Sequence, residues 1–387
     1  MKVLHIVGFY PEFGGPYTAV RDLTKELVRK GCSVSVYSPL PMGYDKSKLE
    51  ANSHLDEVQY FESRGFLSHI WPSYSPEWSG SINKINSYNL IHIHGVFDYF
   101  SYFITRSVQK PYIIEPYGSL LSSVINKKSR FRKRIYLHLI GKSLLNKSSR
   151  IHLLTQKEAY DLGKLGINKD LFKIIPNGIE TCCPSNSPPE RLLFKKFPYL
   201  RGKRLILFLG RINWIKGFDD LIPAFLNVIK LINNAHLVLV GPDNYNYMKE
   251  VNKLIKIHNI ENNVSYFGPA YGEDKTMFMQ DCEVFVLPSF SEGFPVVAIE
   301  AMSFGLPVIL TENAGIPDII LDANAGLVVK KNKDEIASAI IKLINDKKLA
   351  TEMGRNGKSL VKKEFLWNKI ASKVIELYQD VLRNKVT

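Results

Sequence analysis

Short apolar runs alternate with amphipathic, helix-length segments along almost the whole chain. Residues 4–7 form the first run, which ends in a glycine-bearing loop from 8 to 16. Residues 17–30 then carry Ala19, Val20, Leu23, Leu27 and Val28 on one helical face, and Gly31 sits where a helix ends. Further strands are expected at 34–37, 90–93, 112–114, 151–154 and 172–175. Helical patterns between these strands predict a parallel, doubly wound sheet. The pattern fades over 180–198, where Cys182-Cys183-Pro184 and Ser187-Pro188-Pro189 read as a linker. It then resumes with strands at 205–209, 236–240, 264–267, 284–287 and 308–310, a helix at 218–232 and a final helix at 365–382. The chain therefore reads as two α/β domains in tandem, 1–185 and 186–364, followed by a helical segment, 365–387. A length of 387 residues suits two domains.

Composition narrows the class. Hydrophobic residues make up 45% and charged ones 23%, which excludes a disordered or fibrous chain. The four cysteines, Cys32, Cys182, Cys183 and Cys282, form no zinc spacing, and a reduced, cytoplasmic setting is expected. The apolar start is too short for a signal peptide, and no run reaches the roughly 18 apolar residues of a membrane span. A soluble or peripheral protein is expected. The balance of 51 Lys+Arg against 37 Asp+Glu, +14, points to an anionic ligand, a polyanion or an anionic surface, with a plain solvated basic face as the alternative.

Open parallel sheets bind ligands beyond the carboxyl ends of their strands, and two such domains facing one another would form a cleft. In the second domain, Gly210-Arg211-Ile212-Asn213-Trp214-Ile215-Lys216-Gly217 follows a strand and precedes a helix. Two cations there, with the helix's positive end, suit a diphosphate. The P-loop pattern is absent. Further on, Ser289-Phe290-Ser291-Glu292-Gly293-Phe294-Pro295 leads into a helix opened by Pro295 that carries Glu300. Glu292 alone is also what helix-start electrostatics would favour.

Together, Glu292 and Glu300, separated by seven residues, resemble the Glu-x7-Glu signature of retaining, nucleotide-sugar-dependent glycosyltransferases of the GT-B group, family 4. Gly210-Arg211 and Lys216-Gly217 resemble that family's phosphate motif. Gly14-Gly15-Pro16 is similar to its N-terminal glycine loop, and Ile175-Pro176-Asn177-Gly178 to its strand end before the linker. The resemblance spans nearly the whole chain and is densest over 205–310. It implies a GT-B fold of two Rossmann-like domains, with the C-terminal helix crossing back to the first. It implies that Arg211 and Lys216 bind the donor diphosphate and that Gly210, Glu292, Gly293 and Phe294 line the donor sugar. Glu300 would take the ribose hydroxyls, and Gly14 and Gly15 would close over phosphate and acceptor.

In the first domain, His92 and His94 lie two apart on a strand and so share a face. A metal pair is conceivable there, but no third ligand is evident, and structural histidines are the plainer reading. The resemblance puts a histidine at this strand end beside the acceptor. Relatives carry a Pro-His-Gly-Met-Leu stretch after the next strand. This chain has Glu115-Pro116-Tyr117-Gly118-Ser119, so Tyr117 stands in the histidine's position.

The implied reaction moves a hexose-type sugar from a nucleotide-diphosphate sugar to a hydroxyl, with retention. A donor phosphate oxygen would take the acceptor proton, which makes Tyr117 tolerable although tyrosine is a poor base. No Asp-x-Asp triplet occurs, so no metal and no cofactor are expected. Such enzymes often extend polyprenyl-diphosphate-linked oligosaccharides for bacterial surface polysaccharides such as O-antigen or capsule. The rivals are a phosphorylase or epimerase of the same fold and a non-catalytic nucleotide-sugar binder. A nucleic-acid-binding role lacks any motif. Finally, 126–150 holds nine Lys or Arg and no acid, interleaved with Phe131, Ile135, Tyr136, Leu139 and Ile140. It reads as a basic amphipathic helix that would seat the enzyme on the anionic inner face of the plasma membrane.

Overall fold

The computed structural model describes residues 1–8, 15–45, 53–71, 73–126, 130–180 and 191–384. Two compact units are present, Met1–Gly178 with Trp367–Thr387, and Ile179–Leu366. The chain thus passes between them at 178/179 and 366/367, against expected divisions at 185/186 and 364/365.

The first unit is built on seven parallel strands: β1 (Lys2–Val7), β2 (Ser33–Leu40), β3 (Glu57–Glu62), β4 (Leu90–His94), β5 (Tyr112–Glu115), β6 (Arg150–Leu153) and β7 (Phe172–Ile174). Their order is β3-β2-β1-β4-β5-β6-β7. The second unit has six: β8 (Arg204–Leu209), β9 (Ala235–Val240), β10 (Val264–Tyr266), β11 (Val284–Leu287), β12 (Val308–Thr311) and β13 (Gly326–Val329), ordered β10-β9-β8-β11-β12-β13. Each sheet reverses its winding once, between β1 and β4 and between β8 and β11. Those are the switch points at which doubly wound sheets bind ligands.

Burial on both faces explains the near-continuous apolar strands. In the first sheet, Leu4, Ile6, Ile91, Ile93, Ile114 and Ile151 enter one core. The alternate positions, Val3, Leu90 and Ile113, face the other side. There the helices Gly15–Arg29 and Trp367–Arg383 cover them, the latter through Trp367, Ile370, Val374, Leu377 and Tyr378. In the second sheet, the helix Phe218–Leu231 buries Phe218, Leu221, Ile222, Phe225 and Val228, the 3.6-residue period that its sequence predicts.

Three expectations change. Strands β3 and β13, each at an edge of its sheet, lie outside the expected strands, whereas the other two edges, β7 and β10, are expected at 172–175 and 264–267. The supposed linker over 180–198 is shorter. Residues 181–190 lie outside the described residues, and Leu192–Lys196 already forms a helix whose Leu193 is fully buried and donates its N–H to Asp281 (2.9 Å). The basic segment 126–150 is not one helix. It runs as Arg130–Tyr136, a π-helical turn Leu137–Gly141 and Lys142–Asn146, and Arg150 instead opens β6 and pairs with Asp380 (2.8 Å). Lys127 and Lys128 lie outside the described residues.

Candidate functional site

The β8/β11 switch point brings the two motifs of the second unit together. After β8, Gly210 adopts φ +153° and Asn213 caps a 3₁₀ turn, Trp214–Lys216, by accepting from the Ile215 N–H (3.0 Å). Gly217 ends that turn at φ +76°, where a Cβ would lie 2.1 Å from the Pro288 carbonyl oxygen. That contact presses the loop after β8 onto the loop after β11, and the Phe290 N–H donates to the Ile215 carbonyl (2.7 Å). Between the loops, Lys216 Nζ donates to Glu292 Oε1 (2.6 Å). The Ser289 hydroxyl donates to the same oxygen (2.6 Å), and Thr311 fixes Ser289 by donating to its carbonyl (2.6 Å). The two charged side chains are only 10% and 15% exposed. An ammonium has three protons, so Lys216 keeps donors for an anionic ligand while Glu292 holds its position.

Arg211 is exposed and has no ion-pair partner among the described residues. The helix Phe218–Leu231 begins with Asp219 and Asp220, which accept from the Tyr247 hydroxyl (3.3 Å) and from Lys331. Gly293 belongs to the tight packing beside the pair: a Cβ on Gly315 (φ +82°) would stand 2.6 Å from the Gly293 carbonyl oxygen. Phe294 packs toward the core, its ring 6.1 Å from that of Phe365.

Glu300 sits in the helix Val296–Ser303 and accepts from Lys275 Nζ (2.6 Å) through Oε1. Its Oε2 is buried and has no hydrogen-bond partner. A buried carboxylate oxygen left bare costs about 1–3 kcal/mol or more, and a ligand hydroxyl would satisfy it.

The first unit gathers a different cluster at its β1/β4 switch point. Register sets His5 beside His92 and His94 beside Glu115. His152 on β6 and Tyr378 on the last helix close over them. Burial and neighbouring histidines hold His5 and His92 well below the usual imidazole range, and burial takes His94 to about 3. Burial also lifts Glu115 and Glu158 to about 7. The groups His5, His92, His94 and His92, Glu115, His152 are each close enough to share one ion. Every imidazole nitrogen, however, already has a neighbour within 3.4 Å.

His94 is therefore spent: Nδ1 faces Glu115 (2.8 Å), Nε2 faces His5 (2.9 Å), and the side chain is inaccessible. It keeps no nitrogen for a substrate. Tyr117 stands at φ +50°, its ring 5.7 Å from that of His94. Gly15 is the first residue of its helix, and Gly14 lies outside the described residues. Sequence reasoning missed Ser289 and Lys275, which carry no spacing signal, and also His5, His152 and Tyr378. Only strand parity could have linked His5 to His92.

Comparison with known proteins gives the same picture. The family model described as Glycosyltransferase Family 4 matches residues 13–182, and that described as Glycosyl transferases group 1 matches 190–360. An uncharacterized glycosyltransferase of Methanocaldococcus jannaschii is 26% identical over 98% of this chain and 99% of its own. The N,N'-diacetylbacillosaminyl-diphospho-undecaprenol alpha-1,3-N-acetylgalactosaminyltransferase of Campylobacter jejuni is 28% identical over 57% of this chain and 54% of its own. Among solved structures, Anabaena HepE in complex with UDP and glucose superposes with a TM-score of 0.80 at 19% identity, covering 98% of this chain and 100% of that one. The two Rossmann-like sheets are those of GT-B enzymes. This chain belongs to the group 1, family 4 glycosyltransferases.

Proposed function

We propose that this glycosyltransferase moves a hexose-type sugar, with retention and without a metal, from a nucleotide-diphosphate sugar to a hydroxyl of a polyprenyl-diphosphate-linked saccharide. The setting would be bacterial surface-polysaccharide synthesis, as for O-antigen or capsule. The observation that carries the donor assignment is the pairing of Lys216 with Glu292 at the β8/β11 switch point. Arg211 and Lys216 meet the diphosphate, and their charge counts most as that group departs, because the developing negative charge is greater in the transition state. Glu292 holds the Lys216 ammonium in place and faces the donor sugar. Glu300 offers Oε2 to the ribose hydroxyls, a role supported by its lack of any partner within the protein.

The nucleotide-sugar reading is also supported by the UDP and glucose bound to HepE, and the lipid-linked acceptor by the diphospho-undecaprenol in the name of the Campylobacter relative. Membrane attachment rests on Arg130–Asn146, where Phe131, Ile135 and Leu139 are 79%, 57% and 67% exposed among cations. No helix of the described residues is long and apolar enough to cross a membrane.

The test is release of nucleotide diphosphate from a panel of UDP- and GDP-sugars, with undecaprenyl-diphosphate-linked saccharides as acceptors and the product anomer read by NMR. One donor should support turnover and give the donor's own anomeric configuration. Inversion would refute the retaining mechanism, and phosphorolysis or epimerisation without transfer would refute the assignment.

A further inference from the structure

Four imidazoles, one phenol and one carboxyl of the first unit form a single buried chain. His152 Nε2 lies 2.8 Å from the Ile175 carbonyl oxygen, and its Nδ1 3.4 Å from His92 Nε2. His92 Nδ1 is 2.8 Å from the Tyr378 hydroxyl, which is 3.2 Å from His5 Nε2. His5 Nδ1 is 2.9 Å from His94 Nε2, and His94 Nδ1 is 2.8 Å from Glu115 Oε2.

With His152 Nδ1, which is 3.4 Å from both His92 Nε2 and Glu115 Oε2, taken as bonded to His92, the direction of every proton in this chain follows from one end. A carbonyl oxygen only accepts, so His152 carries its proton on Nε2 and presents a bare Nδ1. His92 then donates from Nε2 and accepts at Nδ1 from the Tyr378 hydroxyl. The Tyr378 oxygen accepts from His5 Nε2, and His5 Nδ1 accepts from His94 Nε2. His94 Nδ1 is left bare and needs a proton that only Glu115 can supply. Each contact is satisfied once, with all four rings neutral in the Nε2–H form and Glu115 in its acid form.

We infer that these six side chains are a one-directional hydrogen-bond chain in which Tyr378, carried by the C-terminal helix, is the positioning residue that keeps Glu115 a neutral donor beneath the Tyr117–Gly118 corner. The opposite direction would put a second proton on His152 and leave Glu115 a bare carboxylate 3.4 Å away. Both charges would then be stripped of water, since His152 and Glu115 are 2% and 1% exposed. Burial pushes Glu115 up and His5, His92 and His94 down, while His152 and the Tyr117 hydroxyl act on Glu115 in the opposite direction and more weakly. The corner is held from its other side by Glu158, which accepts from the Gly118 and Leu154 N–H groups. A neutral Glu115 spares these neighbouring carboxyls a repulsion. An ion is unnecessary, because no imidazole nitrogen is free to bind one.

The consequence for catalysis rests on the acceptor-side reading of this unit; the proton order does not. Long-range ¹⁵N–¹H spectra of the histidine-labelled full chain at about pH 6, below the value of about 7 to which burial lifts Glu115, should show His5, His92, His94 and His152 all as Nε2–H tautomers, with an infrared band for a protonated carboxyl that disappears in Glu115→Gln. An Nδ1–H tautomer at any of the four, an imidazolium at His152, or one tightly bound metal ion per chain by elemental analysis would overturn the chain. Tyr378→Phe keeps the ring's shape and removes two bonds. It should free His5 and His92 to exchange tautomers and raise KM for an undecaprenyl-diphosphate-linked saccharide about fivefold, while stabilisation by the donor is unchanged. An ordered chain in the parent together with an unchanged KM in Tyr378→Phe would remove the positioning role alone.

Discussion

Replacing Lys216 by Met separates what the Lys216–Glu292 pair does for stability from what it does for catalysis. At 2.6 Å the gross attraction is about 6 kcal/mol with an effective dielectric near 20, most of it offset by desolvation. Removing the ammonium leaves Glu292 Oε1 with the Ser289 hydroxyl alone. The carboxylate is only 15% exposed, so the variant should lose about 2 kcal/mol, less than the ~3–5 kcal/mol of a fully buried broken pair. For a unit the size of Ile179–Leu366, that lowers Tm by about 4–8 °C. Turnover should fall about 10²–10³-fold, as for loss of one preorganised electrostatic group. The double variant Lys216→Met/Glu292→Gln discriminates between the two effects. If the stability loss comes from a stranded carboxylate, the second change restores most of the Tm and none of the turnover. Calorimetry and nucleotide-diphosphate release on Lys216→Met, Glu292→Gln and the double variant, each against the parent, supply the cycle. Turnover within threefold of the parent in Lys216→Met would refute the phosphate assignment. A double variant as unstable as the single one would refute the stranded-charge argument.

Four further outcomes are expected. Glu300→Gln should weaken donor binding about tenfold by thermal shift while lowering Tm only slightly, because the part-exposed pair with Lys275 is weakened and Oε2 has no partner within the protein to lose. Gly217→Ala should lower both Tm and turnover, since its Cβ would strike the Pro288 carbonyl oxygen at 2.1 Å in a left-handed conformation; a variant that melts like the parent would contradict this. Excess EDTA should leave the rate unchanged, and complete loss restored by magnesium or manganese would reverse the expectation of metal-free transfer. Glu115 is raised in the folded chain to about 7 from an ordinary 4.5, so its contribution is full below pH 4.5 and is lost as pH rises through 7. Glu115→Gln should therefore gain stability relative to the parent across that window in urea unfolding, and a relative loss would invert the sign.

What the sequence made legible follows from where each signal is stored. Interior strands of a parallel sheet are apolar on both faces, so β1, β4, β8 and β11 stand out in a single sequence, while of the four edge strands β7 and β10 are readable and β3 and β13 are not. Arg211, Lys216, Glu292 and Glu300 were readable because each lies in a short segment of fixed spacing. Their partners were not. Thr311 and Lys275 act across 22 and 25 positions of the chain and Ser289 across three, and no local pattern marks a lysine or hydroxyl that will meet a particular carboxylate. The basic segment was misjudged for a related reason. Composition records nine cations over 126–150 but not that Arg150 is committed to β6 and to Asp380.

The two switch points show how one architecture serves opposite electrical ends. At β8/β11 the loops deliver an ammonium and a carboxylate that remain partly open, with an exposed arginine beside them and a bare Glu300 oxygen on the following helix. Such groups gain from a ligand with anionic and hydroxyl parts. At β1/β4 the same strand ends deliver histidines, and the last helix seals them with Tyr378. A chain of neutral donors and acceptors has no net charge to offer and no free lone pair on its rings. The histidine pair on β4, which the sequence offers as catalytic material, is therefore buried with every ring nitrogen engaged. Directly after β5, Tyr117 and Gly118 both hold positive φ.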